Sequence, residues 1–201
     1  MENVENKILN YAKKCGRGKV FFIDDFTRYG SSESVRKALS KLVNDGIFLR
    51  AARGIYCYPK IDKLFGFGAM YPTIDEIAQA VAKRDKARLV PTGSHAMNLL
   101  GLSTQVPMNF VYLTDGAART IEIKDGHGIK FVRTVPKNLS FKNRLAMLIT
   151  FALKEVGENN LTEWQKKRVK ELLLQEDKES IMLDLPLMPE WIRTIIRNAY
   201  E

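Results

Sequence analysis

Apolar residues recur along this chain at helical spacing in some stretches and in short runs in others, and glycines mark most of the switches. Val4, Ile8, Tyr11, Ala12 and Cys15 predict an amphipathic helix, which Gly16-Arg17-Gly18 breaks. Val20-Phe21-Phe22-Ile23 predicts a short strand, and Asp24 is placed to cap a brief helix through Phe26 and Tyr29 that ends at Gly30. Val35, Leu39, Leu42 and Val43 then fall at i, i+4, i+7 and i+8, the apolar stripe of a second long helix. Ser31 or Ser32 can cap it by accepting an orphan backbone N–H, and Gly46 supplies a left-handed stop after Asp45. Ile47, Phe48 and Leu49 lead through Ala51-Ala52-Arg53-Gly54 to Ile55, Tyr56, Cys57 and Tyr58, a strand, turn and strand closed by Pro59.

Helix, strand, helix, helix, strand, strand is the order of a winged helix-turn-helix, expected here over residues 1–60. The polar side of the helix after Ser31 carries Glu33, Arg36, Lys37, Ser40, Lys41 and Asn44, mostly cations and hydrogen-bonding side chains of the kinds that reach phosphates and base edges. Arg36 and Lys37 are the first choices for base contacts. Arg50 and Arg53 in the hairpin suit phosphate or the minor groove. A three-helix protein-interaction module would need the same core, so the pattern by itself leaves that alternative standing.

Residues 61–72, with two glycines and a proline, predict a connector anchored by Leu64, Phe65, Phe67 and Tyr71. Thr73 is placed to cap a helix whose apolar face is Ile74, Ile77, Ala78 and Val81, with Asp75 and Glu76 in its first turn. A strand at 87–90, a Pro91-Thr92-Gly93 turn and a helix from Ser94 follow. Strands are expected at 110–114, 119–124 and 129–135, and the turns Asp115-Gly116 and Asp125-Gly126-His127-Gly128 between them predict an antiparallel meander. The last third is helical, at 141–156, 162–174 and 189–200, where Trp191, Ile192, Ile195 and Ile196 form a stripe. The expected fold class is α+β: an N-terminal winged helix-turn-helix, then an α/β domain over 73–201 with a small antiparallel sheet and C-terminal helices.

Charge sharpens this picture. Of the formal +9, residues 1–60 carry 12 basic and 6 acidic side chains and 61–150 carry 12 and 7, whereas 151–201 carry 8 and 10. Cations crowded into the first two thirds favour a polyanionic partner, because each neutralised phosphate releases condensed counterions. Cys15 and Cys57 both sit in apolar patterns, so buried thiols are expected rather than a disulfide framework or a zinc site. The start MENVENKILNYAKK lacks the apolar segment of a secretory signal and no long apolar run occurs, so a cytoplasmic protein without a membrane partner is expected.

Behind this N-terminal pattern, PTGSHAMNLLGLSTQVP (91–107) and VYLTDGAARTIEI (111–123) resemble the AbiEi-like antitoxins of bacterial abortive-infection toxin-antitoxin systems. The segment from Gly46-Ile47-Phe48 to Gly54-Ile55-Tyr56 also fits that family's pattern, and the resemblance covers nearly the whole chain. It implies a DNA-binding domain followed by an antitoxin domain encoded beside a nucleotidyltransferase-like toxin. Two tasks go with it: repression of its own operon, with double-stranded operator DNA as partner, and neutralisation of the toxin. Repressors that read inverted repeats work as pairs, so a homodimer on DNA is expected.

Enzymatic readings are weaker. Asp115 with Glu122-Ile123-Lys124 has the D…ExK arrangement in which two carboxylates hold a divalent metal and a lysine helps activate water. Yet Asp115-Gly116 is also an ordinary turn pair, and Glu122 and Lys124 alternate with Ile121 and Ile123 as a half-exposed strand requires. No Ser/His/Asp or Cys/His set can be assembled from the sequence around His95 and His127. Thr92-Gly93-Ser94 before a helix lacks the lysine of a phosphate-binding loop and reads as a capped turn. Trp164 and Trp191 have the helical spacing of core residues, with a partner-binding surface as the alternative. The expectation is a non-enzyme with no cofactor and no metal.

Overall fold

The first helix, α1 (Val4–Cys15), starts where the Asn3 side chain accepts the Asn6 N–H at 2.8 Å, and it buries Ile8 and Ala12. The computed structural model describes residues 3–64, 66–123 and 126–201. After α1 come β1 (Lys19–Phe22), a 3-10 turn (Ile23–Tyr29), α2 (Ser32–Asn44), β2 (Leu49–Ala52) and β3 (Ile55–Tyr58). The 3-10 turn is fastened by Asp25 rather than Asp24: its carboxylate accepts the Phe22 N–H at 2.7 Å, while Asp24 offers its backbone carbonyl to Thr27. Ser31 is the cap of α2, accepting the Ser34 N–H at 3.2 Å, and Gly46 turns the chain out of the helix at φ +69.

The three strands form an antiparallel sheet in the order β1-β3-β2, with Phe21 opposite Tyr56 and a bulge between Arg50 and Ala52. The predicted stripe of α2 is inside: Val35, Leu39 and Leu42 are buried, and Val43 packs at the margin. They meet Ile8, Phe21, Phe26 and Phe48, with the Phe21 ring 5.4 Å from Phe26 and 6.1 Å from Phe48. Each such side chain contributes about 1.5–3 kcal/mol by leaving water. Cys57 is buried too, between Tyr56 and Tyr58 on β3 but outside this cluster, and burial pushes its thiol up to about 11. Cys15 is not: as the last residue of α1 it lies at the exposed end of the helix.

The stretch expected to be a connector contains a small hairpin, β4 (Lys60–Asp62) and β5 (Gly68–Met70), paired antiparallel. Asp62 accepts the N–H groups of Leu64 and Phe67 at 3.0 and 3.3 Å and so closes its turn. Leu64 and Phe67 do not anchor it, being 90% and 77% exposed; Phe65 lies outside the described residues. Thr73 and Glu76 then cap α3 (Ile74–Asp85) reciprocally, the Glu76 N–H reaching the Thr73 hydroxyl at 3.2 Å and the Thr73 N–H the Glu76 carboxylate at 2.8 Å.

The chain divides into two compact units, and the division differs from the one expected at residue 73. The first unit runs through Arg84 and takes in Ile121–His127; the second comprises Asp85–Thr120 and Gly128–Glu201. Specific contacts hold α3 to the first unit. Lys60 pairs with Glu76 at 3.2 Å, and the Arg84 guanidinium sits 4.3 Å from the centre of the Phe22 ring. Ile123 forms an antiparallel bridge with Ala52 of β2, which is why a short excursion from the later sequence belongs there too.

The second unit starts with β6 (Leu89–Pro91), α4 (Gly93–Leu99) and β7 (Asn109–Thr114); β9 (Gly128–Arg133) and β8 (Arg119–Glu122), of which Arg119 and Thr120 belong to this unit, complete a sheet in the order β6-β7-β9-β8. The expected antiparallel meander is absent: β7 and β9 run parallel, with Tyr112 beside Phe131, and only β6 is antiparallel to β7. Asp115 explains the departure. Its carboxylate accepts the Arg88 N–H at 2.7 Å and the Arg88 Nε at 2.9 Å, and the Gly116 N–H turns back to the Thr114 hydroxyl. The Asp-Gly pair therefore fastens onto the chain entering β6 instead of closing a hairpin.

Helices α5 (Arg144–Val156), α6 (Glu163–Leu173), α7 (Lys178–Asp184) and α8 (Glu190–Ala199) supply the rest of the second core, with Ala146, Ile149, Leu153, Val169, Ile192 and Ile196 fully buried. Asp184, buried at the end of α7, accepts the N–H groups of Lys142 (3.0 Å) and Asn143 (2.7 Å) ahead of α5. Replacing Asp184 with Ala strips two N–H groups of a charged acceptor and should cost the second unit about 2–3 kcal/mol. Urea unfolding should show that loss, and Asp184→Asn, which keeps one acceptor oxygen, should lose less.

Candidate nucleic-acid interface

Because α2 buries Val35, Leu39 and Leu42, its other side is left to solvent, and Arg36, Lys37, Ser40, Lys41 and Asn44 are all exposed there. Arg36, Ser40 and Asn44 stack at i, i+4 and i+8, with Lys37 and Lys41 in the adjacent row. Arg50 on β2 and Arg53 in the β2–β3 turn are exposed as well. That hairpin is tied to α2 through its turn: the N–H groups of Ile47 and Phe48 both donate to the Leu42 carbonyl at 3.0 Å, and Phe48 packs 5.7 Å from Tyr58. Helix and hairpin thus share one core.

The cations are not equivalent. Lys37 pairs with Glu33 one turn back at 2.7 Å, and Lys41 reaches Glu5 of α1 at 2.8 Å. The hydrogen bond to Glu5 holds the Lys41 ammonium above its usual value. The Lys37–Glu33 pair is exposed on both sides and screened by water, whereas in the Lys41–Glu5 pair the ammonium is exposed and the carboxylate largely covered. Arg36, Arg50 and Arg53 make no ion pair among the described residues.

Sequence reasoning missed a second basic surface on the same unit. Lys7, Asn10, Tyr11, Lys13 and Lys14 of α1, with Arg28 and Tyr29 of the 3-10 turn, line an open cleft of about 700 Å³. The i, i+7 spacing of Lys7 and Lys14 was the available signal, but the arrival of Arg28 beside them depends on how the 3-10 turn packs.

Of the other candidates, Asp115 and His95 are engaged within the fold. Both Asp115 oxygens are engaged by Arg88, whose hydrogen bonds hold the carboxyl below its ordinary 3.8. Glu122 is exposed on β8, and Lys124 lies outside the described residues. His95 is buried edge-on against Phe110 and Tyr112, with ring centres 4.9 and 5.2 Å away. His127 belongs to a turn in which its carbonyl accepts the Ile123 N–H at 2.8 Å. Among the described residues no group of three His, Cys, Asp or Glu could hold a metal ion. Trp191 packs against the second core, whereas Trp164, expected inside, is 57% exposed on the first turn of α6.

A protein-family profile matches residues 7–181. The chain belongs to DUF6088, a family of unknown function. No curated protein matches the sequence. Solved structures similar to this DUF6088 chain include the RV2827C protein from Mycobacterium tuberculosis, at 14% identity and a TM-score of 0.48 over 98% of this chain and 75% of that one. No helix among the described residues is long and apolar enough to cross a membrane.

The Asp115 geometry makes a pH prediction. A carboxyl whose folded value is depressed contributes stability that is present above its ordinary value, 3.8, and lost as pH falls through the folded value. Asp115→Asn should therefore be less stable than wild type in urea at pH 6, and the gap should narrow below pH 3.8. A catalytic Asp115 would instead reveal itself as Mg²⁺-dependent plasmid cleavage that the variant loses.

Proposed function

We propose that this chain is a cytoplasmic, DNA-binding antitoxin that represses its own operon through a winged helix-turn-helix at its N-terminal end and counteracts a nucleotidyltransferase-like toxin. The observation that carries the DNA half is the exposed cationic side of α2, braced by the same core as the hairpin bearing Arg50 and Arg53. The resemblance of residues 91–107 and 111–123 to AbiEi-like antitoxins supports the other half. In this reading α2 lies in the major groove, with Arg36 and Lys37 at base edges and Ser40, Lys41 and Asn44 beside them. Arg50 and Arg53 grip phosphate or the minor groove, and a pair of chains reads an inverted repeat.

Gel-shift titrations on the DNA upstream of its own gene test this. Arg36→Ala/Lys37→Ala/Lys41→Ala should abolish preference for that DNA over random duplex, and unchanged binding would discard the assigned face. Arg53→Ala should weaken all sequences about equally and reduce the slope of log K against log[salt] by about one.

Neutralisation belongs to a different surface, so the triple variant of α2 should still relieve growth arrest when co-expressed with the toxin encoded beside it. Failure of the wild-type chain to do so would overturn the antitoxin assignment and leave a DNA-binding regulator.

A further inference from the structure

The cleft between α1 and the Ile23–Tyr29 turn has a construction that the α2 face lacks. Arg28 packs against two aromatic rings on adjacent sides, its guanidinium carbon 4.5 Å from the centre of Tyr11 and 4.8 Å from that of Tyr29, while the two rings lie 6.1 Å apart. These two contacts restrict the side chain before any ligand arrives and so lower the cost of immobilising it. Lys7, Lys13 and Lys14 surround it and make no ion pair among the described residues, in contrast to Lys37 and Lys41 of α2. No acidic side chain lines the cleft. Four cations line the cleft, and the acidic charge felt at Tyr11 is that of Asp25, whose carboxylate already accepts the Phe22 N–H.

This surface is distinct from the α2 face. Glu5, which takes Lys41 of α2, and Lys14 are nine residues apart, which is two and a half turns, so they occupy opposite sides of α1. The ring faces that would stack an unpaired base are turned toward Arg28. What remains on offer is positive charge and N–H donors, the chemistry that takes phosphate oxygens without reading sequence.

We propose that this cleft is a second nucleic-acid contact, gripping the sugar-phosphate backbone of duplex DNA independently of sequence. The choice of DNA rests on the function proposed above; the anion-binding chemistry rests on the cleft alone. With one contact on each side of α1, a single chain engages two stretches of backbone, either a neighbouring segment of a bent operator or a second duplex.

The test uses the full chain and fluorescence anisotropy with a labelled random 30-base-pair duplex and with the upstream operator DNA, across a salt series. Lys7→Gln/Lys13→Gln/Lys14→Gln should weaken both DNAs about tenfold and lower the salt slope by about two to three, while preserving the preference for operator. Lys7→Arg/Lys13→Arg/Lys14→Arg should bind as wild type, which separates charge from folding. Unchanged affinity and slope in the glutamine variant overturn the cleft proposal, and if the α2 triple variant loses operator preference in the same assay, the reading of α2 stands without it. Loss of binding in the cleft variant with no effect from the α2 variant supports the cleft and sinks the α2 assignment. Inorganic pyrophosphate at constant ionic strength provides the last arm: if it binds wild type but not the glutamine variant while DNA binding is equal in both, the cleft is a small-anion site and the backbone proposal falls.

Discussion

Leu42 is the residue on which the first unit turns. Its side chain is fully buried beneath α2, and its carbonyl accepts the N–H groups of both Ile47 and Phe48 as the chain leaves the helix. That double acceptance satisfies two donors at once and drives the Phe48 ring into the core, where it meets Phe21 and Tyr58. The direction of the β2–β3 hairpin relative to α2 follows from it. An exposed cationic helix and an arginine-bearing turn have value as a single surface only if their geometry is set by packing, and this turn sets it.

In the second unit the anchoring role passes to carboxylates. Asp115 is tied to Arg88 across 27 positions of sequence, and Asp184 to the backbone ahead of α5 across more than 40. Each satisfies backbone N–H groups that the chain would otherwise leave bare as it passes between elements. Carboxylates and a buried histidine in this part of the chain therefore look like chemistry on a residue inventory but behave as fastenings. The D…ExK spacing is a case in point, since the carboxylate that would have to face a metal is turned onto a guanidinium.

What could be read from sequence follows the range of the interactions involved. The α2 stripe, a serine cap before it, the Gly46 stop and the Thr73 cap are set within a few residues, and all are found, Ser31 being the serine used and Glu76 completing a capping box that was read only as a dipole contact. The parallel pairing of β7 with β9 was hidden because the local Asp-Gly turn signal is overridden by a partner far away in the chain. The β4–β5 hairpin has three-residue strands, too short for a period to register, and Leu64 and Phe67 face water where hydrophobicity alone argued for anchoring. At the candidate interface all seven predicted residues are exposed. Their ion-pairing was only half legible: Glu33 is one turn from Lys37, but Glu5 reaches Lys41 across 36 positions.

Those ion pairs rank the cations. A phosphate that approaches Lys37 or Lys41 exchanges one anion for another, so the net gain is the difference between two contacts of similar kind. At Arg36, Arg50 and Arg53, which make no ion pair among the described residues, such a contact would be gained outright, and a planar guanidinium adds bidentate geometry that an ammonium cannot match. The lysines paired to Glu33 and Glu5 serve a second purpose, since carboxylates interspersed with cations weaken indiscriminate attraction to any polyanion. The α2 face and the α1 cleft thus differ in how their lysines are paired: Lys37 and Lys41 have carboxylate partners, whereas Lys7, Lys13 and Lys14 make no ion pair among the described residues.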